Sequence, residues 1–306
     1  SQFANRRSFL HTAGAAMVGG VAATQISVAS ALVAEPWFKI GLAQWSLHKA
    51  FFEKKLDPIN FPSIAKKDFG LSGVEYVNQF YKGKAEDEAT GNELLKQSKD
   101  MGVENILIMC DGEGNLGDPD QAKRHQAVDN HKKWVEAAIF LGCHSIRVNA
   151  ATGDAGTPEE QRGRAAEGLR KLAEFAKPHD IGVIVENHGG LSSNGEWLAA
   201  TIKEVGLPNA GTLPDFGNFH GYDRYKGVDE TMPYAKGVSA KSHDFDPMTG
   251  EETQTNYRKM MDLVIKKHAY SGWVGIEYEG SKLDEPAGIR ATKALLEKIR
   301  AEMVKV

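Results

Sequence analysis

Eight short apolar runs between residues 38 and 279, each followed by a longer amphipathic stretch, constrain this chain more than any other feature. They are 38–45 (FKIGLAQW), 73–78 (GVEYVN), 104–110 (ENILIMC), 144–150 (HSIRVNA), 182–188 (GVIVENH), 210–216 (AGTLPDF), 237–243 (GVSAKSH) and 273–279 (WVGIEYE). Runs this apolar leave no wet face, so strands made from them belong to a parallel sheet covered by helices. Helical patterns fill the gaps at 60–69, 88–101, 120–141, 158–177, 194–205, 223–236, 253–269 and 286–303; Trp134, Val135, Ala138 and Leu141 show the spacing of a core-facing stripe. Thr157-Pro158-Glu159-Glu160 supplies a cap, an N1 proline and an acidic first turn, and Gly70, Gly102, Gly142, Gly182 and Gly206 stand at expected helix ends. Eight such units closing on themselves predict an α/β fold, a (β/α)8 TIM barrel, as one domain over 32–306. An open doubly wound sheet is disfavoured, because no G-x-G-x-x-G follows the first strand and no phosphate loop occurs anywhere.

Composition narrows the partners. With 37 basic and 41 acidic residues the net charge is −4, which offers no overall basic face to release phosphate counterions and argues against nucleic acid. Two cysteines cannot form a disulfide framework. Cys110 is expected at the top of the third strand and Cys143 at the bottom of the fourth, roughly 15 Å apart at about 3.3 Å per residue, so both should remain free thiols. Ahead of the barrel, Asn5-Arg6-Arg7-Ser8-Phe9-Leu10 leads into an uncharged Ala/Gly/Val stretch with a small-residue site at Ala29-Ser30-Ala31. Residues 1–31 therefore read as a Tat-type signal peptide, which makes the Tat export machinery a partner and the periplasm the destination. Gly14, Gly19, Gly20, Thr24, Gln25 and Ser27 leave that stretch too polar for a stable membrane span.

In a parallel barrel the chemistry sits at the C-terminal strand ends, so polar residues closing the strands carry the functional signal. The fifth run ends Glu186-Asn187-His188, the sixth Pro214-Asp215, the seventh reads Ser239-Ala240-Lys241-Ser242-His243, and the eighth ends Glu277-Tyr278-Glu279. Period-two alternation puts Glu186 with His188, Lys241 with Ser239 and His243, and Glu277 with Glu279. Burying three unpaired carboxylates in such a funnel is costly. They need either a shared cation or an ion-pair network with Lys241, Arg147 and Lys236. Oxygen-rich donors with one imidazole suit a divalent metal, Mn²⁺ foremost, with Mg²⁺, Co²⁺, Fe²⁺ or Zn²⁺ as alternatives.

The motifs E-N-H-G-G, P-D-F-G-N-F, A-K-S-H-D-F and G-I-E-Y-E-G, with A-Q-W-S-L-H after the first strand and G-C-H-S-I-R-V-N-A at the fourth, carry a family likeness. From about residue 38 to the C-terminus the chain resembles the xylose-isomerase-like sugar isomerase/epimerase superfamily, in particular its exported bacterial branch. The resemblance implies Glu186, Asp215 and Glu277 as metal ligands, with Glu186 and Glu277 also moving protons as the catalytic pair. In much of the superfamily a His or Gln stands where this chain has Lys241, two residues before a closing pair. His243 is the expected fourth ligand, since an ammonium cannot coordinate a cation, and Lys241 is expected on substrate oxygens. Trp45, His48, Glu75, Arg147, Asn149 and His188 are the further substrate-binding candidates, an aromatic wall with a few hydroxyl-binding groups being what a sugar pocket needs. The loop Cys110-Asp111-Gly112-Glu113-Gly114-Asn115 is expected at the pocket rim.

These readings converge on a divalent-metal-dependent enzyme of isomerase or epimerase type. Its reaction would abstract a proton next to a carbonyl of a non-phosphorylated sugar or keto-glycoside, with β-elimination as a variant outcome. The alternatives are an endonuclease-like phosphodiesterase on the same fold and a non-catalytic carbohydrate-binding barrel. A homo-oligomer is left open.

Overall fold

The computed structural model describes residues 37–303; the segment that reads as an export signal, 1–31, lies outside the described residues. Eight parallel strands follow the expected runs: β1 (Lys39–Ala43), β2 (Gly73–Val77), β3 (Glu104–Met109), β4 (Ser145–Val148), β5 (Gly182–Glu186), β6 (Ala210–Leu213), β7 (Val238–Ser242) and β8 (Trp273–Tyr278). They pair in the order β6-β5-β4-β3-β2-β1-β8-β7. The seam between β6 and β7 is closed by parallel bridges, Thr212 to Ala235 and Asp215 to Ser239. Pro214 has no N–H to give a ladder, yet its carbonyl accepts from the Ser239 N–H at 2.9 Å, so pairing resumes one residue beyond the end of β6. The result is a closed (β/α)8 TIM barrel.

The helices are α1 (His48–Phe52), α2 (Phe61–Phe69), α3 (Glu88–Met101), α4 (Gln121–Leu141), α5 (Pro158–Ala176), α6 (Gly195–Val205), α7 (Arg224–Thr231), α8 (Tyr257–Met261) and α9 (Glu285–Met303). Thr157 caps α5 as expected: its hydroxyl accepts from the Glu160 N–H while the Glu160 carboxylate accepts from the Thr157 N–H. Gly70, Gly102, Gly142 and Gly206 close α2, α3, α4 and α6 in the left-handed region, where a side chain would be strained. Gly182 does not. It opens β5, and Asp180 takes the left-handed position after a short 3-10 turn, Lys177–His179. The pattern at 253–269 becomes α8 followed by a π-helical stretch, Asp262–Lys267. Elements with no counterpart in the sequence pattern include a 3-10 turn at Gln44–Leu47 and α1, both carrying residues onto the barrel mouth.

Inside the barrel, Ala43, Val77, Ile106, Leu107, Met109, Ile184 and Leu213 pack together between Trp273 at the floor and Trp45 and Phe80 toward the mouth. A bulge in β3 places two successive residues, Ile106 and Leu107, in that filling: Val74 pairs with Asn105, but Glu75 pairs with Leu107. The two cysteines are free and buried, as expected.

Glu75 lies in this lumen, fully buried. Gly275 on β8 leaves it room, since a Cβ there would collide with the Glu75 carboxyl. Neither carboxyl oxygen has a hydrogen-bond partner. Burial first, and then the charge of Glu277, push this carboxyl up to about 8 against the pull of Arg147. The folded protein thus holds a proton that the unfolded chain releases near 4.5. Its stabilisation is fully present below that value and declines as pH rises toward 8, by about 1.4 kcal/mol for each pH step of one across that window. Glu75→Gln should therefore flatten the fall in urea-unfolding stability between about pH 5 and pH 8. A slope as steep as the wild type's would show that Glu75 does not carry that proton.

Candidate active site

Glu186 closes β5, Asp215 follows Pro214 after β6, and Glu277 lies near the end of β8, so three strand ends aim carboxylates into one mouth. One oxygen from each falls within 4.8 Å of the others, and all three residues are buried. Hard oxygen donors this close suit a divalent cation of the Mn²⁺ or Mg²⁺ kind, so the donor set fits a metal.

Each carboxylate is held by neighbours. Asp215 Oδ1 accepts from the Gly217 and Asn218 N–H groups, both at 2.8 Å, a local turn that fixes its rotamer. The Asn187 side chain clamps the Asp215 backbone, donating to its carbonyl at 3.0 Å and accepting from its N–H at 2.8 Å. Glu186 Oε1 accepts from the Asn218 amide at 2.9 Å, and its Oε2 lies 2.7 Å from Arg147 Nε. Ser239 Oγ sits between Asp215 Oδ2 at 2.8 Å and Glu277 Oε2 at 2.9 Å.

Lys241 enters the same cluster. Its ammonium lies 2.7 Å from Glu277 Oε1, 3.1 Å from Glu279 Oε2 and 3.8 Å from Asp215 Oδ2, with its side chain only 2% exposed. Burial works against its charge, but Glu277, Asp215, Glu186 and Glu279 together keep it protonated. Burial likewise raises Glu277, and the Lys241 charge and hydrogen bond overcome it, leaving Glu277 below the ordinary carboxylate value. Glu186 goes the other way: burial pushes it well up, only partly opposed by Arg147. Two carboxylates of one site are thus driven apart, the arrangement that separates an acid from a base.

His243 stands outside this group. Its backbone N–H donates to Glu252 Oε1 at 3.1 Å and its ring lies beside Gly217, past the end of β7, while Lys241 reaches the carboxylates from within the strand. Lys236, named above as a pairing cation, lies at the opposite end, its stem against Gly211.

Arg147 on β4 joins the cluster to the β3 loop, with Nη1 donating to Asp111 Oδ1 at 2.8 Å. Asn149 donates to the same oxygen at 2.7 Å. Asp111, Gly112 and Glu113 line a cleft of about 690 Å³ together with Asn78, Lys82 and Trp134, and none of the three clustered carboxylates lines it. His188 is exposed at the mouth, its N–H held by Ser192 Oγ at 3.0 Å. Trp45, following β1 beside β8, stacks on His48 at 4.8 Å between ring centres and faces Phe80 at 6.3 Å and Phe52 at 6.0 Å. Its indole N–H donates to Glu279, tying this aromatic wall to β8. Glu75 is the candidate that the fold keeps below the mouth, in the lumen. Asn187, Asn218, Ser239, Asp111 and Glu279 are contributors to which sequence reasoning gives no role in the cluster. Ser239 and Glu279 are visible as face partners of Lys241 and Glu277, whereas the two asparagines act through loop geometry that no periodicity encodes.

A family model described as a xylose isomerase-like TIM barrel matches residues 65–299. No curated protein matches the sequence. Among solved structures, the chain is similar to a 3-keto-D-glucoside 4-epimerase from E. coli, with a TM-score of 0.68 and 17% identity over 85% of this chain and 99% of that one. It is equally similar to a D-psicose 3-epimerase with D-tagatose from Clostridium cellulolyticum H10, TM-score 0.68 and 15% identity over 86% and 99%. A third, an IOLI protein with a binding zinc atom, has a TM-score of 0.66 and 14% identity over 87% and 99%. At these identities the likeness is one of fold.

The Arg147 bridge gives a stability test. Burial alone would raise Asp111, but the Arg147 charge and the hydrogen bonds from Arg147 and Asn149 bring it down to about 2. That contribution is fully present above the ordinary 3.8 and disappears as pH falls toward 2. Breaking a fully buried pair costs about 3–5 kcal/mol; here about 2 kcal/mol is expected for Asp111→Asn at pH 7, because Glu186 still pairs with Arg147 and Asp111 is 19% exposed. Urea unfolding should show the penalty shrinking as the pH approaches 2. An equal penalty at both ends would refute this account of the pair.

Proposed function

Since the chain belongs to the xylose isomerase-like TIM barrel family, we propose that it is a divalent-metal-dependent enzyme of isomerase or epimerase type, acting on a non-phosphorylated sugar or keto-glycoside. The observation that carries this reading is the gathering of Glu186, Asp215 and Glu277 within 4.8 Å at the barrel mouth. Structures of similar fold include epimerases of a 3-keto-D-glucoside and of D-psicose, which supports the substrate class. Glu186, Asp215 and Glu277 would hold the metal, which when bound polarises a carbonyl and a neighbouring hydroxyl.

Glu277 is the base that takes the proton from the carbon next to the carbonyl, leaving an enediolate on the sugar. Glu186, on β5 within the same cluster, is placed to return a proton. Return to the opposite face of the same carbon epimerises; delivery to the neighbouring carbon isomerises; loss of a β-substituent eliminates. Trp45 and His48 offer the apolar wall on which the C–H face of a sugar stacks, and Asn149 and His188 offer polar atoms for its hydroxyls. Arg147 and Lys241 are each already paired with carboxylates, so neither is free to greet a phosphate. That agrees with export by the Tat route to the periplasm, where free and glycosidic sugars prevail. The acid surplus of the mouth also disfavours a phosphodiesterase acting on nucleic acid.

The metal-loaded protein incubated in D₂O with keto-sugars and glycosides should place deuterium on the carbon next to the carbonyl. Glu186→Gln and Glu277→Gln should each lower the exchange rate by roughly two to four orders of magnitude, the usual worth of a positioned acid or base. Asp215→Asn should act mainly on metal affinity, so excess Mn²⁺ restores part of the rate. Exchange undiminished in both glutamine variants would remove the acid–base assignment, and no exchange with any substrate would favour the binding barrel. Separately, replacing Arg6 and Arg7 with Lys should hold the protein in the cytoplasm, since the export receptor reads the guanidinium pair. Unchanged periplasmic levels in cell fractionation would end the export reading.

A further inference from the structure

Lys241 stands in an unusual position for a residue beside a metal site. Its Nζ contacts Glu277 at 2.7 Å and lies 3.8 Å from Asp215, oxygens of the same cluster that would take a cation. The stem is seated in a slot: a Cβ on Gly217 would come within 2.6 Å of Lys241 Cγ. Tyr257 steadies the backbone behind it, its hydroxyl donating to the Lys241 carbonyl at 2.7 Å. An ammonium has no lone pair, so it cannot be a ligand; it takes acceptor oxygens that a metal would take. Two cations at contact distance repel strongly, so both cannot hold Glu277 and Asp215 together.

The cluster is nevertheless short of positive charge. Asp111, Glu186, Asp215, Glu277 and Glu279 outnumber Arg147 and Lys241. Ser239 Oγ touches one oxygen of Asp215 and one of Glu277 with a single proton to give. A place for the lysine to retreat is already present. Glu279, two residues past Glu277, just beyond the end of β8 and 30% exposed, holds the same ammonium at 3.1 Å. Its other oxygen is fixed by Trp45.

We propose that Lys241 is a built-in cation that competes with a divalent ion for Asp215 and Glu277, its head group remaining on Glu279 when the ion binds. The protein would then keep its mouth charge-compensated without metal and hold the ion loosely. This inference rests on the reading of Glu186, Asp215 and Glu277 as the ion's ligands. It assigns Lys241 and Glu279 a positioning role in metal occupancy rather than a contact with substrate.

The test is Mn²⁺ titration of the metal-stripped full chain, followed by the electron paramagnetic resonance of free Mn²⁺. Lys241→Met should bind Mn²⁺ at least tenfold more tightly than the wild type. Glu279→Gln should weaken binding severalfold in the wild-type background and have no effect in the Lys241→Met background, a dependence that a merely structural role would not produce. Should Lys241→Met fail to fold, Lys241→Gln keeps a donor without the charge and carries the same comparison. Equal Mn²⁺ affinity in wild type and Lys241 variants, weaker binding in the variants, or binding by none of them would overturn the proposal. The deuterium exchange assay judges the enzymatic reading apart from this. Failure there with a clear affinity gain in Lys241→Met would sink the activity alone, and exchange intact with equal affinities would sink the competition alone.

Discussion

Arg147 and Lys241 make the barrel mouth possible. Burying an ionised carboxylate without a partner costs more than most domains have in reserve, and Glu186, Asp215 and Glu277 are all buried. Arg147 reaches from β4 to Glu186 and Asp111; Lys241 reaches from β7 to Glu277, Glu279 and Asp215. Each cation therefore ties together side chains from different strands. The same pairs set the proton affinities, holding Glu277 down through Lys241 while Glu186, more deeply governed by burial, stays high. Packing of the strand ends and polarity of the site are one electrostatic arrangement.

The barrel itself is legible in the sequence because its signal is repeated. Strand runs such as GVIVE and WVGIEY are apolar throughout, and glycines such as Gly142 and Gly206 stop helices at the expected places. Elements whose signal is local and unrepeated escape such a reading. α1 is only five residues long and begins within three residues of Trp45 in the preceding 3-10 turn, too short for a helical period to show. Gly182 imitates a helix end because glycine also serves to bring strands close: a Cβ there would press on Ser145 of the neighbouring strand. The bulge in β3 has no composition cue, since Asn105, Ile106 and Leu107 fit an unbroken strand equally well.

Alternation along a strand tells which face a side chain uses, and it does not tell depth. Glu75 and Glu277 are both lumen-facing, yet Glu75 ends below the mouth with unpartnered oxygens, whereas Glu277 meets Ser239 and Lys241. Lys241 and His243 share a face too. The difference between them is that β7 ends at Ser242, so Lys241 is still held in the ladder while His243 lies past its end with its ring beside Gly217. Asn187 and Asn218, which fix Asp215 and Glu186, act across loops and cannot be recovered from spacing.

The chain distributes its chemistry unevenly around the ring, and the imbalance has a physical use. The clustered acids and cations come from β4 to β8 and the loop after β3, while the aromatic residues Trp45, Phe52 and Phe80 follow β1 and β2, with β1 next to β8. A sugar has the matching asymmetry, with hydroxyl and carbonyl oxygens at its edge and apolar C–H groups on its face. On the proposed reading, the edge would meet the carboxylate side while the face lies on the indole. The Trp45 to Glu279 hydrogen bond is the hinge between these halves, because Glu279 also holds Lys241. A ring stacked on Trp45 would therefore press on the side chain that orients Glu279, and through it on Lys241. On that reading, a single carboxylate at the rim would link substrate seating to the cation beside the metal ligands.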